Sequence, residues 1–205
     1  MPRNAQRVVL LTGFEPFEAE KVNPSWLAVR RLHGRVIRGH RIVARRLPTT
    51  FARSLPELRR LLRRFHPSLV ICVGQAGGRA EITPERVALN LQDARIPDNA
   101  GRMPREQPVV PGGPAAYWST LPVRSIVRAL KQRGIPAAPS LSAGTFVCNH
   151  VFYGLLHELA AGGRARGGFI HVPFLPAQAA RHRDQPSLPL AMMVEALAIA
   201  VRVSL

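Results

Sequence analysis

Cysteine, lysine, acidic residues and long apolar runs are all scarce in this chain of 205 residues. The two cysteines, Cys72 and Cys148, are too few for a disulfide framework, so we expect a reducing, cytoplasmic setting. No apolar run approaches the roughly 20 residues that cross a bilayer, and the polar residues 1–7 do not resemble a signal peptide. We therefore expect no membrane partner.

Acidic residues number 12 against 29 basic ones, which gives a net charge of +17 and raises the question of a nucleic-acid partner. Nearly all of the basic residues are arginine, however, and only Lys21 and Lys131 are lysine, which is typical of a bias in residue usage. The densest arginine cluster, within residues 59–64, lies opposite leucines on a helical pattern and predicts a solvated helix face. We expect no nucleic-acid partner, and a basic nucleic-acid-associating domain remains the alternative.

The length and the 46% hydrophobic content predict one globular domain over residues 1–205. Strands are predicted at Val8–Thr12, Arg41–Arg46, Ser68–Val73, Arg86–Leu91, Ala137–Ser142 and Gly168–Val172. Helices are predicted at about 24–32, Ser54–Phe65, Pro122–Gln132, Asn149–Ala160 and Leu188–Val203, with a proline-punctuated loop over 98–114. This alternation predicts the α/β class, as an α/β/α sandwich whose mostly parallel, twisted sheet has helices on both faces.

Cys148 is the residue best placed to act as a nucleophile. It lies between the predicted strand that ends near Ser142 and the helix Asn149–Ala160, so its thiol is near a helix N-terminus. The helix dipole and the free N–H groups there favour a thiolate. An arbitrary cysteine is more often a small buried hydrophobe, and we predict that role for Cys72, inside the apolar run Leu69–Val73.

His171 is the one histidine inside a predicted strand, Phe169–Val172, and it is near the carboxyl end of that strand. Reactive groups gather at such ends in open α/β sheets, so His171 is expected to meet Cys148 as its base. A core histidine satisfied by one hydrogen bond is the alternative. We expect His150 and His157, on the helix after Cys148, to be exposed.

A thiol and an imidazole need a third group, a carboxylate or an amide, which holds the ring tautomer and stabilises the imidazolium. The acidic candidates near loop ends are Glu15, Glu81, Glu85, Asp93 and Asp98. Their spacing does not choose among them. The histidines lack metal-ligand spacing, and the glycine-rich loop 74–78 lacks a complete nucleotide-binding pattern, so no metal or organic cofactor is expected.

A set of sequence strings extends in order along nearly the whole chain. They are Thr12–Phe17, Val22–Ser25, Gly74–Arg79, Ile82–Ala88, Arg95–Asn99, Gly112–Tyr117, Gly144–Asn149 and Gly168–Pro173. Together they resemble the pyroglutamyl-peptidase I family, whose members are also called pyrrolidone-carboxylate peptidases.

The resemblance implies a cysteine exopeptidase that removes an N-terminal pyroglutamyl residue from peptides. It implies a triad of Cys148, His171 and Glu85, which selects one carboxylate from the open set. It also implies homo-oligomers, with a tendency toward tetramers. A related thiol acyl hydrolase of different specificity is the second alternative.

The same resemblance implies which residues surround the substrate. Phe14 and Phe17 would flank the pyrrolidone ring, and Arg95 would face the oxyanion together with the backbone N–H of the nucleophile. The remaining pocket positions are Asn23, Gln75 and Val147. The chain departs from the family pattern at Glu18 and Ala19, where members often carry glycines.

Overall fold

The computed structural model describes residues 7–162 and 165–205, which form eight strands and six helices. The strands are β1 (Val8–Phe14), β2 (Val36–Ile37), β3 (His40–Leu47), β4 (Leu69–Gln75), β5 (Thr83–Pro84), β6 (Val87–Leu89), β7 (Ala116–Trp118) and β8 (Arg166–Val172). The helices are α1 (Pro24–Arg30), α2 (Phe51–Phe65), α3 (Val123–Gln132), α4 (Val147–Ala160), α5 (Pro176–Ala179) and α6 (Leu190–Ser204). The helices predicted from the sequence are all present, with ends shifted by a few residues.

One six-stranded sheet, in the spatial order β2-β3-β1-β4-β8-β5, forms the centre of the molecule. Strands β3, β1, β4 and β8 are parallel, and the edge strands β2 and β5 are antiparallel to their neighbours. Helices α1, α3 and α6 cover one face, and α2 and α4 cover the other. The predicted α/β/α sandwich is therefore confirmed.

The period-two alternation of buried strands divides the core between the two faces of this sheet. In β4, Ile71 and Val73 pack with α1 and α6, whereas Val70 and Cys72 pack with α2 and α4. Because all these side chains are fully buried, β4 reads as an unbroken apolar run, as is typical of a parallel strand covered on both sides.

Helix α2 shows the predicted division between an apolar and a cationic side. Leu55, Leu58 and Leu61 are buried against the sheet and α4, whereas Arg60 and Arg63 are exposed. The cationic cluster thus lies on a solvated face, as the helical pattern predicts. In residues 7–162 and 165–205, no helix is both long enough and apolar enough to span a membrane.

The predicted strand Ala137–Ser142 is wrong as a continuous element. The segment is joined to residues 82–85 by two separate bridges, Ala137 with Ile82 and Ser140 with Glu85. Pro139 provides the physical reason, because its nitrogen carries no hydrogen for a ladder. The predicted strand at Arg86–Leu91 is present in shortened form as β6, which pairs with β7.

Candidate active site

The carboxyl ends of β4 and β8 meet the N-terminus of α4 at one edge of the sheet. Strands β4 and β8 are paired in parallel from Leu69 with Arg166 to Gln75 with Val172, so Gly74 lies directly beside His171. Side chains at this edge project from strand ends that the sheet fixes in place, as in other open α/β folds. The edge therefore brings together residues that are far apart in the sequence.

Glu85 reaches His171 because β5 pairs with the end of β8. Thr83 is opposite His171, and the Glu85 backbone N–H donates to the Phe169 carbonyl at 2.9 Å. Glu85, two residues after Thr83, projects its side chain to the same face of the sheet as Thr83, and Glu85 Oε1 lies 2.7 Å from His171 Nδ1. Of the carboxylates that the spacing left open, Glu85 is the one bonded to this imidazole.

Cys148 is the second residue of α4, within the turn whose backbone N–H groups have no intrahelical partner. Its Sγ lies only 2.8 Å from the point where a Cβ on Gly74 would be, so any side chain at position 74 would collide with the thiol. Since Gly74 and His171 are neighbours on strands about 4.8 Å apart, the thiol and the imidazole lie on the same face of the sheet and close together.

Before substrate binds, the surroundings of Cys148 and His171 favour a neutral thiol and a neutral imidazole. Burial raises the pKa of the Cys148 thiol to about 12, with the Glu85 carboxylate adding to the rise and the Arg79 guanidinium opposing it. Burial lowers the pKa of His171, and its hydrogen bond to Glu85 opposes that change. Burial would raise the pKa of Glu85, but the hydrogen bonds and charges around it prevail, so its pKa is lowered.

These directions fix the tautomer of His171. An ionised Glu85 accepts hydrogen bonds only, so the neutral ring must carry its proton on Nδ1 and donate it to Oε1. The other ring nitrogen, Nε2, is then unprotonated and can accept a proton from a thiol. The arrangement suits a Cys–His pair oriented by a carboxylate.

The second cysteine differs in its surroundings. Cys72 is fully buried within β4, whereas Cys148 is partly accessible. Burial raises the pKa of the Cys72 thiol to about 12, so this thiol stays protonated inside the core. The predicted role of Cys72 as a core hydrophobe agrees with this position.

Arg79 is a site residue that sequence reasoning missed. It follows the glycine-rich loop after β4, and its Nη1 donates to Glu85 Oε1 at 2.7 Å. The same carboxylate oxygen thus accepts from both Arg79 and His171. In the sequence, the only pointer to this role is that Arg79 ends the string Gly74–Arg79, which contains no acidic residue to pair with it.

The three residues from the chain between β1 and α1 have different surroundings. Phe14 is buried at the end of β1, with its ring 6.3 Å from that of Phe169. Phe17 is half-buried, with its ring 6.1 Å from that of Phe146, the residue that precedes α4. Asn23 faces inward, where its side chain caps α1 through Ser25 N–H and donates to the Glu15 carbonyl.

The other predicted pocket residues are more dispersed. Gln75 ends β4 and accepts a hydrogen bond from Gln178 at 3.2 Å. Val147 is fully buried as the first residue of α4, within the core cluster on that face. Arg95 is exposed, and the hydrogen bonds in the described parts of the chain do not connect it to Cys148 or Glu85.

Glu18 and Ala19 have positive φ angles, 55° and 60°. This left-handed conformation costs a residue with a Cβ roughly 1–2 kcal/mol, and glycine adopts it freely. Residues with a Cβ thus occupy two positions whose backbone conformation favours glycine.

The expectation that His150 and His157 are exposed is wrong. His150 is buried at the second turn of α4, and His157 is half-buried, with Nδ1 3.0 Å from the Tyr117 hydroxyl. Helix α4 is covered by the sheet, by α2 and by the β6–β7 pair, so little of its surface faces solvent. Across residues 7–162 and 165–205, no three His, Cys, Asp or Glu side chains are grouped to hold a metal ion.

Comparison with known proteins gives the same assignment throughout the chain. The family model for pyroglutamyl peptidase matches residues 7–205. The chain belongs to the pyroglutamyl peptidase family.

Relatives in this family are similar over almost their full length. Pyrrolidone-carboxylate peptidase 1 of Ralstonia nicotianae is 59% identical over 96% of this chain and 92% of its own. The pyrrolidone-carboxylate peptidase of Klebsiella pneumoniae is 57% identical over the same shares. The chain is therefore a member of a family of cysteine peptidases.

Solved structures agree with the sequence relatives. Pyroglutamyl peptidase I of Bacillus amyloliquefaciens superposes with a TM-score of 0.94 at 52% identity, over 97% of this chain and 96% of that one. Pyrrolidone carboxyl peptidase of Thermococcus litoralis gives a TM-score of 0.93 at 39% identity, over 97% and 93%. The pyroglutamyl peptidase fold is thus shared over 97% of this chain.

Proposed function

We propose that this protein hydrolyses the amide bond that follows an N-terminal pyroglutamyl residue in peptides, with Cys148 as nucleophile, His171 as general base and acid, and Glu85 as the group that orients the imidazole. The observation that carries the proposal is the meeting of thiol, imidazole and carboxylate at one edge of the sheet, with His171 Nδ1 2.7 Å from Glu85 Oε1. Family membership supports the same chemistry.

The reaction begins with a proton transfer. His171 Nε2 accepts the thiol proton as Cys148 Sγ attacks the pyroglutamyl carbonyl carbon, and Glu85 stabilises the imidazolium that forms. When the tetrahedral intermediate collapses, the C–N bond breaks and His171 returns the proton to the departing amine. Water then attacks the thioester with His171 again as base, which releases pyroglutamate and regenerates the thiol. This chemistry requires neither a metal nor an organic cofactor.

The oxyanion of the intermediate needs hydrogen-bond donors that are already in place. The backbone N–H of Cys148 lies in the first turn of α4, where N–H groups have no intrahelical partner. We assign Arg95 the second donor position, with its exposed guanidinium closing on the substrate. Each such donor is worth about 2.7–4 kcal/mol in the transition state.

Specificity would come from an apolar slot that admits a lactam and rejects a charged amine. Phe14 and Phe17, whose rings pack on other aromatic rings beside α4, are assigned to the two sides of the pyrrolidone ring. The remaining assigned pocket positions are Asn23, Gln75 and Val147. An ordinary N-terminal ammonium placed there would be desolvated without a partner, which is costly.

The cysteine pair provides the experiment. Wild type, Cys148→Ser and Cys72→Ser would be assayed with a chromogenic pyroglutamyl amide and with the matching prolyl amide, whose ring carries a charged amine. We expect Cys148→Ser to lose essentially all turnover, since serine's hydroxyl is far less acidic than a thiol, and Cys72→Ser to retain it. The prolyl amide should not be cleaved.

Alkylation with iodoacetamide gives an independent readout. Mass spectrometry should locate the inactivating adduct on the partly accessible Cys148 and leave the buried Cys72 unmodified. Turnover lost through Cys72 while the Cys148→Ser variant remained active would contradict the assignment, as would cleavage of both amides at equal rates.

The cellular form of the enzyme is also part of the proposal. We assign it to the cytoplasm, as a homo-oligomer of four subunits without a nucleic-acid partner. The arginines of α2 support the last point, because they are spread on a solvated helix face and Glu57 and Glu158 pair with two of them.

A further inference from the structure

Arg79 connects two separate segments of the chain, residues 83–85 and the segment that contains Ser142, around the carboxylate of the proposed triad. Its Nη1 donates to Glu85 Oε1 at 2.7 Å and to Thr83 Oγ1 at 2.5 Å. Its Nη2 donates to the Ser142 carbonyl at 3.0 Å. The guanidinium therefore bonds to β5, to the residue after it and to the segment that leads into α4.

We propose that Arg79 is a positioning residue of the active site, which holds the Glu85 carboxylate and the approach to Cys148 in the geometry that catalysis needs. The inference rests on the proposed triad. It adds a fourth residue, which acts through Glu85 and through the Ser142 carbonyl and does not itself touch the substrate.

The buried Glu85 carboxylate depends on the groups that are hydrogen-bonded to it. The Glu85 side chain is fully buried, whereas that of Arg79 is 28% exposed. A buried carboxylate is stable as an ion only when it is paired and hydrogen-bonded. The bonds from His171 and from Arg79 both lower the pKa of Glu85, that from His171 more strongly, so the shared Oε1 stays ionised, and Arg79 fixes where it lies relative to the imidazole.

The bond from Arg79 to the Ser142 carbonyl also fixes the segment that leads to Cys148. Ser142 lies in a locally bonded turn, where its carbonyl also accepts from the Ser140 hydroxyl and its own hydroxyl accepts from Gly144 N–H. This turn precedes Val147, the first residue of α4, by only a few residues. Displacement of the turn would therefore move the start of the helix and the thiol on it.

Charge gives Arg79 a pH signature that a purely structural residue would lack. The charged groups facing His171 are Glu85, which raises its pKa, and Arg79, which lowers it. The titratable groups facing Cys148 are Glu85 and Cys72, which raise its pKa, and Arg79, which lowers it. Because the His171 bond still keeps Glu85 ionised, removal of the guanidinium charge should move the acidic limb of kcat/KM to higher pH, and removal of the Glu85 charge should move it to lower pH.

The test compares Arg79→Gln and Arg79→Lys with Arg128→Gln, the same substitution at an exposed arginine of α3. We expect Arg79→Gln to lower kcat/KM for a pyroglutamyl amide by about 10²-fold, the scale of a small misplacement of reacting groups. Arg79→Lys should recover part of that loss, since a lysine keeps the charge without the bidentate geometry. Arg128→Gln should match wild type.

Two further readouts separate positioning from folding. Added guanidinium ion should restore activity to Arg79→Ala, because this partly exposed side chain leaves a cavity that the ion can reach. The acidic limb of the Arg79→Gln profile should move to higher pH, opposite to that of Glu85→Gln. An acidic limb of Arg79→Gln that stays in place or moves to lower pH overturns the inference, and so does the absence of guanidinium rescue in a variant whose circular dichroism matches wild type.

The outcome for Glu85→Gln distinguishes this inference from the proposed function. If Glu85→Gln loses activity and Arg79→Gln retains it, the triad stands and the role of Arg79 is refuted. If Glu85→Gln retains full activity, the triad assignment itself fails.

Discussion

Two buried histidines lie on the same side of the sheet in entirely different surroundings. His171 is 3% exposed at the end of β8, and His150 is 6% exposed on α4, two residues after Cys148. Burial lowers the pKa of both rings. Desolvation alone therefore does not distinguish the imidazole that we propose as the base from one without that role.

Their hydrogen bonds make the difference. His171 Nδ1 is 2.7 Å from a carboxylate, whereas neither ring nitrogen of His150 bonds to any residue that the structure describes. The His150 ring instead meets the ring of Phe51 edge-on, with centroids 5.6 Å apart. A partner that fixes the tautomer converts a buried imidazole into a base, and an aromatic neighbour leaves it a polar ring in an apolar site.

The sharpest way to test this contrast is to remove each ring in turn. His171→Gln should lower kcat/KM for a pyroglutamyl amide by roughly 10²–10⁴-fold, the usual contribution of a general base. His150→Leu fills a similar volume without polar atoms and should stay within a few-fold of wild type. A loss of activity in His150→Leu equal to that in His171→Gln would contradict the distinction.

Acid stability tests the unpartnered ring more directly. Burial lowers the pKa of His150 to about 4; the backbone of Phe51 opposes this shift and the charges of Arg59 and Arg102 add to it, whereas in the unfolded chain the pKa is near 6.5. The unfolded state binds the extra proton first, so this group's contribution is complete above pH 6.5 and is lost as the pH falls toward 4. The loss amounts to about 3 kcal/mol for a shift of this size.

Urea unfolding at pH 7.5, 5.5 and 4.5 would measure that loss. His150→Leu should flatten the decline in unfolding free energy relative to wild type, and the remaining slope would belong to the other titrating groups, His171 among them. Parallel declines in the two proteins would show that His150 is not the titrating group.

The sequence could predict one of these histidines and not the other, for physical reasons. His171 lies in a four-residue apolar run at a strand end, and local pattern is sufficient to place such a residue at the carboxyl edge of a parallel sheet. The surroundings of His150 depend on what covers α4. A helix usually presents one polar face, but α4 is enclosed by the sheet, α2 and the β6–β7 pair, and its own sequence does not reveal those neighbours.

The partners of His171 show the same limit. Glu85 is positioned by β5, a strand of only two residues that contains Pro84, and so short a strand gives no alternating pattern to read. Family resemblance, not spacing, selected Glu85. Arg79 and the close approach of Gly74 to the thiol depend on pairings between distant segments, so only the folded chain reveals them.

The smallest expected effect concerns the charges near His150. Arg102 is exposed and lowers the pKa of His150 through space, so Arg102→Gln should raise that pKa slightly and reduce the acid loss of stability. Solvent screening limits the effect to a few tenths of a kcal/mol at pH 4.5. The control is Arg102→Gln in the His150→Leu background. There the gain in unfolding free energy at pH 4.5 should vanish, because the imidazole whose pKa Arg102 lowers is absent. An equal gain in both backgrounds would mean that Arg102 acts on some other group and does not lower the pKa of His150.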